Sequence, residues 1–302
     1  MADLTVKLGN LKFINPVLPA AGPNVMRLEQ MLEAVERGAG GIVTKTVSRE
    51  PAVYPKPCIS KGPCDGLLNC ETWSDRPWRS YIDDYVKVKE TGVPLICSIG
   101  YSPEDVAELG KALDAEVGPD VVEFSTHYVG KTLDPLKRVA DALRGSVSCP
   151  VWMKVSPSTP DIPEMAKVMS DYVDGFVAVN SVGPALDFDI DNHRPRLGTE
   201  DGHGWLSGPA IAGVALYAVY QISHSQDKPV VGVGGIRTGE DAVKFIMAGA
   251  SLVGICSEAI RRGTGIYGKI ASEISDWMDR KGYGSLDDIR GLYAPVEAGD
   301  SR

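Results

Sequence analysis

The sequence predicts an α/β chain closed into a (β/α)8 TIM barrel, and three observations carry that prediction. Eight short apolar runs rich in Val and Ile are spread along 302 residues. Helical patterns lie between them, and no dinucleotide fingerprint follows the first run. Parallel strands covered by helices on both faces read as continuous apolar runs. Eight such strand–helix units fit a barrel of about 250 residues or more. A doubly wound sheet, the competing fold, would want GxGxxG after its first strand, where this chain reads AAGPN.

The elements follow in order. NPVLPAA (15–21) is the first strand, and RLEQMLEAVERG (27–38) is an amphipathic helix. GIVTKTV (41–47) and PLICSIG (94–100) are the next two strands, separated by a long connection over 48–78 rich in Pro, Gly and Cys. SPEDVAELGKALDAEV (102–117) opens on Ser102, an N-cap residue with acidic residues in the first turn behind it. VVEFST (121–126), PVWMKVS (150–156) and GFVAVNS (175–181) are strands four to six. A second long connection, 182–208, contains DFDIDNHRPRLGTEDGHGW. PVVGVGG (229–235), the helix TGEDAVKFIMAGA (238–250) capped by Thr238, and LVGICSE (252–258) complete the barrel. No linker, repeat or low-complexity segment interrupts the chain, which predicts one domain over 1–302. Both long connections follow strand C-termini, the face where barrel enzymes hold their active sites, and are predicted substrate lids.

The formal net charge of −9 argues against nucleic acid as a main partner. No apolar run reaches membrane-spanning length, and MADLTVKLGN is not a signal peptide, so a cytoplasmic protein is predicted. Three of the six cysteines lie in CISKGPCDGLLNC, spaced six apart. That is neither a zinc nor an iron–sulfur spacing; free thiols and no metal are expected.

Polar residues gather at the C-terminal strand ends: Lys45 and Thr46, Ser98, Glu123 with Ser125 to Tyr128, Lys154 with Ser156, Asn180 and Ser181, Gly234 and Gly235, Cys256 and Ser257. Glu123 stands out, because a carboxylate inside an apolar strand is costly without a partner or a task. Paired glycines ending the seventh strand, followed by the eighth strand's Cys-Ser end, match the usual phosphate site of this fold. The phosphate carrier stays open among a flavin, pyridoxal phosphate and a sugar phosphate. Lys154 and Lys45 each fit either a Schiff base or the electron-rich end of a flavin.

With these motifs in place, the chain resembles the dihydroorotate dehydrogenase superfamily of FMN-dependent (β/α)8 barrels, over about residues 4–262. NPVLPAAG, GIVTKTVSREP, PVWMKVSPSTPDI with VNSVGP, GWLSGPAI, and PVVGVGGIRTGEDAVKFIMAGASLVGICSEAI carry the resemblance. LLNCETWSDRP is closer to the dihydropyrimidine dehydrogenase branch, whose matching Asn-x-Glu contacts the pyrimidine. The resemblance implies FMN contacts from Ala21, Gly22, Lys45, Thr46, Ser98, Lys154, Ser181, Gly208, Gly234, Gly235 and Ser257. It implies substrate contacts from Lys45, Asn69, Glu71, Asn180 and Ser181, with Glu123 in the place of a substrate-facing Asn.

Here the chain departs from the family's Asn-x-Ser-Cys-Pro-Asn, in which the Cys exchanges a proton with the substrate while FMN N5 exchanges the hydride. Thr126 takes the place of that Cys and Tyr128 that of the last Asn, leaving Thr126, His127 and Tyr128, beside Lys45, as the catalytic group. A Thr hydroxyl is a far weaker acid than a thiol and needs a neighbour's help, for which His127 is the better matched. With Glu71 and Glu123 both near the site, an anionic orotate carboxylate would be repelled, so the expected substrate is a small cyclic, N-heterocyclic ring other than dihydroorotate. The flavin's second redox partner would be NAD(P)H or a separate electron-transfer subunit, and the chain a homodimer. Three other readings stand beside this one: an isomerisation or other non-redox flavin reaction, a Schiff-base lyase or aldolase using Lys154 or Lys45, and a non-catalytic flavin subunit.

Overall fold

The computed structural model describes residues 2–125, 130 and 132–295. Its centre is an eight-stranded parallel sheet: β1 (Val17–Pro19), β2 (Ile42–Val43), β3 (Leu95–Ile99), β4 (Val121–Ser125), β5 (Val151–Val155), β6 (Gly175–Ala178), β7 (Val230–Val233) and β8 (Leu252–Ile255). Each strand pairs with the next in chain order from β2 to β8, and β8 pairs with β1. Gly40 N donates to Val17 O (2.8 Å), closing the ring between β1 and β2. The (β/α)8 barrel expected from the sequence is the observed fold. Its strands are almost wholly buried, as continuous Val/Ile runs require.

The helices start where their caps stand. Ser102 Oγ accepts from Asp105 N (3.1 Å) at the head of the helix Pro103–Glu116. Thr238 Oγ1 accepts from Asp241 N (3.2 Å) at the head of the helix Gly239–Met247. Each bond satisfies an amide that the first helical turn leaves unpaired. The expected strand over 41–47 is regular only at Ile42–Val43, although Val47 still bridges Ile99, so the chain carrying Lys45 and Thr46 stays against the sheet. The segment after the helix Ile266–Lys281 packs back on the barrel: Asp3 N donates to Gly284 O (2.8 Å) and Gly291 N to Ile246 O (3.1 Å).

The two long connections are not separate lids. They pair with each other in one four-stranded antiparallel sheet, ordered Val182–Ala185, Gly204–Ser207, Leu67–Asn69, Ile59–Lys61. Trp205 stands opposite Asn69, and Ser207 opposite Leu67. The sheet covers the C-terminal mouth of the barrel, with Ile59, Leu67, Asn69 and Ser207 facing a cleft below it.

Candidate active site

The cleft lies between the barrel mouth and this sheet and is partly open to solvent. Ala21, Gly22, Lys45, Thr46, Asn69, Glu71, Lys154, Asn180, Ser181, Gly208, Gly234, Gly235 and Ser257 all line it. Residues from β1, β2, β5 to β8 and both long connections therefore converge on one space, because every strand of a parallel barrel ends at the same face.

One wall is backbone. Gly208 (φ 82°) and Gly235 (φ 75°) adopt left-handed conformations that L side chains rarely take. A Cβ on Gly235 would stand 2.8 Å from Gly208 O, and one on Gly208 would stand 3.2 Å from Ser257 Oγ. The glycines thus bring β7, the start of the helix Ser257–Arg262 and the second connection into contact.

The opposite side is charged. Lys45 Nζ donates to Glu71 Oε2 (3.0 Å) and to Thr72 O (3.1 Å), and both side chains of the ion pair are nearly buried. This pair ties the first long connection to the barrel. Lys154, only 6% exposed, also faces the cleft, yet it forms no ion pair among the described residues.

Glu123 and Ser98 are placed differently from the sequence expectation. Neither lines the cleft. Ser98 is level with Glu123 across β3 and β4, and Ser98 Oγ donates to Glu123 Oε1 (2.9 Å). Thr46 Oγ1, at the cleft wall, is 2.9 Å from Ser98 Oγ. Glu123 is 1% exposed, and its Oε2 has no hydrogen-bond partner among the described residues. It lies in a small void inside the barrel with Val43, Trp152 and Val177. Burial pushes its carboxyl above the ordinary range, opposed by the Lys154 charge and the Ser98 hydrogen bond. Strand alternation explains this depth. Glu123 and Ser125 share one face of β4, but Ser125 is the nearer to the mouth, level with Lys154. Ser125 lines the cleft and accepts from Asn180 Nδ2 (3.3 Å).

Sequence reasoning passed over Tyr101 in the cleft and Asn24 beside Cys256, and gave Cys256 no role of its own. Tyr101 lines the cleft, 4.8 Å between ring centroids from Trp73, and burial pushes its hydroxyl up to about 12. Cys256 Sγ donates to Asn24 Oδ1 (3.1 Å), and Asn24 Nδ2 donates to the Tyr267 hydroxyl (3.1 Å). Burial pushes the Cys256 thiol up to about 11, although Lys154 and Lys45 oppose the shift. Asn24 carried a usable signal, a polar residue just beyond the first strand end. Tyr101 carried the same one, directly after PLICSIG. Thr126, His127 and Tyr128 lie outside the described residues.

Fold and site together define a barrel enzyme whose mouth offers a glycine wall and one buried lysine, Lys154, that has no ion pair among the described residues. Residues 3–278 match the family described as dihydroorotate dehydrogenase. A "Dihydroorotate dehydrogenase B (NAD(+)), catalytic subunit" from Pyrococcus abyssi is 34% identical over 303 residues, covering 97% of this chain and 100% of that protein. Proteins of the same description from Thermoplasma acidophilum and Methanothermobacter thermautotrophicus are 32% and 30% identical, across 97% and 96% of this chain and 99% and 98% of theirs. The chain belongs to the dihydroorotate dehydrogenase family. It is an FMN-dependent oxidoreductase acting on a CH–CH bond. Among the described residues, no helix is long and apolar enough to cross a membrane.

Proposed function

We propose that the chain carries out FMN-dependent oxidation or reduction of a C–C bond in an uncharged, N–H-bearing ring of the dihydropyrimidine type. The Lys45–Glu71 ion pair is the observation that carries this reading. Glu71 already neutralises Lys45, so that lysine offers a substrate carboxylate little net attraction. The Glu71 carboxylate, Asn69 and Asn180 supply acceptors and donors suited to ring N–H and C=O groups. This arrangement supports the likeness to the dihydropyrimidine dehydrogenase branch.

The described residues fit FMN. Gly22, Gly208, Gly234, Gly235 and Ser257 would hold its phosphate along the glycine wall, and Lys154, buried with no ion pair among the described residues, would face the electron-rich edge of its ring. Ala21, Thr46 and Ser181 would complete the contacts, with Ser98 acting one step behind Thr46. Bound FMN supplies the hydride chemistry.

The protein's own residues must orient the ring and move the proton. Ser125 occupies the cleft-facing position on β4 and matches the Ser of the family's motif, with Glu123 at its Asn two residues deeper. In that register Thr126 stands at the family's Cys and Tyr128 at its last Asn or His. A phenol is a weaker acid than a thiol but a far stronger one than a Thr hydroxyl. Tyr128 is therefore our first candidate for the proton-transfer group, ahead of His127 and Thr126, and Lys45 positions Glu71 beside the substrate. Tyr128→Phe should lower kcat about 100-fold or more with little change in KM, measured by stopped-flow flavin reduction. A larger loss in Thr126→Val than in Tyr128→Phe would assign the proton transfer to Thr126.

A second reading, dihydroorotate itself, is favoured by the printed names of the relatives. It is also favoured by the withdrawal of Glu123 from the cleft, which removes half of the electrostatic case against an anionic substrate. The words "catalytic subunit" and "NAD(+)" in those names support a separate electron-transfer subunit here, and the family resemblance supports a homodimer of the chain itself. The deciding experiment measures kcat/KM for dihydroorotate and for an uncharged dihydropyrimidine with one preparation of the FMN-loaded protein. A higher value for dihydroorotate would overturn the uncharged-substrate reading.

A further inference from the structure

The antiparallel hairpin over the cleft carries two thiols in opposed positions. Its register pairs Ile59 with Asn69, Ser60 with Leu68 and Lys61 with Leu67. One step further the same register sets Cys58 opposite Cys70, and Cys70 N donates to Cys58 O (2.8 Å). Directly opposed residues of an antiparallel pair point to the same face, with Cα atoms about 4.5–5.5 Å apart. Disulfides span Cα separations of about 4.4–6.8 Å, so no rearrangement of the ladder is needed to join these two.

Alternation also separates the thiols from the substrate. Ile59, Leu67 and Asn69 face the cleft. Cys58, Cys70 and Leu68 face the other way, where Cys70, Leu68 and Leu197 form a small buried cluster with Cys58 packed on it. Cys70 is 4% exposed and Cys58 is half-buried, so an incoming reagent meets Cys58 first. Lys56 places its Nζ 3.7 Å from Cys58 Sγ, giving the attacking sulfur a counter-charge. Burial, and the neighbouring Cys58, hold the Cys70 thiol above its ordinary value, which suits a sulfur that acts second. The third thiol of the segment, Cys64, lies in the turn that Gly66 and Gly62 close, at the far end of the hairpin. At about 3.3 Å per residue, it is out of reach of either partner.

We propose that Cys58 and Cys70 form a disulfide in response to low-molecular-weight disulfides such as oxidised glutathione. The Cys58 thiolate attacks one sulfur of the reagent, the reagent's S–S bond breaks, and one thiolate leaves and is protonated. Cys70 then gives up its proton and attacks Cys58 Sγ, the mixed disulfide breaks, and the second small thiol leaves. Two cysteine thiols lose two electrons and two protons, and one disulfide reagent becomes two thiols. The product clamps the foot of the hairpin, next to Asn69 and to Glu71, without placing an atom in the cleft. The pair stands whichever substrate the cleft accepts.

The test uses the full-length, FMN-loaded protein, equilibrated with oxidised and reduced glutathione at set ratios, quenched by alkylation and peptide-mapped without reduction. The expected result is a Cys58–Cys70 cross-linked peptide that disappears on adding dithiothreitol, with Cys64 alkylated. In Cys70→Ser the same treatment should stop at a glutathione adduct on Cys58, while the flavin absorbance band reports that the variant is folded. Glutathione on Cys58 of the wild type without the cross-link would overturn the proposal. So would a link through Cys64, or alkylation of both thiols at every ratio. The wild-type map decides the matter even if the variant fails to fold.

Discussion

Two lysines and two carboxylates stand at the top of the barrel, and they are arranged in opposite ways. Lys45 and Glu71 are in contact at 3.0 Å and form a neutral unit at the cleft wall. Lys154 and Glu123 interact only through the field: Lys154 is level with Ser125, nearer the mouth, and Glu123 lies one inward-facing residue deeper, its Oε2 without a hydrogen-bond partner among the described residues. A contact pair hides its charges from a ligand. A separated pair leaves its lysine facing the cleft and its carboxyl free to take up a proton. The first arrangement is suited to holding a loop and an uncharged substrate, the second to receiving an anionic cofactor.

This contrast can be broken from either side. Glu71→Ala leaves a nearly buried ammonium with only the Thr72 carbonyl, and the loss of one member of such a pair costs about 3 kcal/mol. The urea unfolding midpoint should fall accordingly, and an unchanged midpoint would remove the claim that this pair holds the loop. Lys154→Met should act in the other direction on flavin-free protein, raising stability by about 1 kcal/mol as a buried cation without an ion pair among the described residues is removed. In the same variant FMN should bind about 10–100-fold more weakly, for want of one charge-assisted contact. Fluorescence titration with FMN checks the second effect, and equal destabilisation in Glu71→Ala and Lys154→Met would erase the distinction between the two arrangements.

Glu123→Gln sharpens the comparison through pH. The folded carboxyl titrates above its unfolded value of 4.5, so between those two values the folded state holds a proton that the unfolded chain has released. Stability of flavin-free wild-type protein should therefore fall as pH rises through that window, by about 1.4 kcal/mol per pH unit. The glutamine variant, unable to ionise, should lack this fall and be the more stable of the two above it. Parallel stability–pH curves for the two proteins would show that Glu123 does not titrate as its burial requires.

Much of this architecture was readable beforehand. The Val/Ile runs marked the barrel strands because burial on both faces leaves no polar alternation, and Ser102 and Thr238 marked helix starts because their oxygens satisfy nearby amides. Depth within the barrel was not readable. Alternation says that Glu123 and Ser125 point inward, but strand tilt decides which of them reaches the mouth. The pairing of the two long connections was hidden for another reason. Leu67–Asn69 and Gly204–Ser207 are far apart in the chain, and each strand is too short to carry a period of its own. Ser98 illustrates both effects: it is a strand-end hydroxyl whose role is to bridge Thr46 and Glu123 behind the wall rather than to line it.

The shared sheet over the mouth also bears on how specificity can change. Half of its strands come from one connection and half from the other, and Trp205 O accepts from Asn69 Nδ2 across the seam (3.4 Å). Neither connection is an independent cassette. A graft of residues 48–78 alone from a relative would arrive without its hydrogen-bonding counterpart, whereas a joint graft with 182–208 would carry its own ladder. For this scaffold, selectivity is inherited as a pair of segments, and substitutions in the two should be coupled rather than additive.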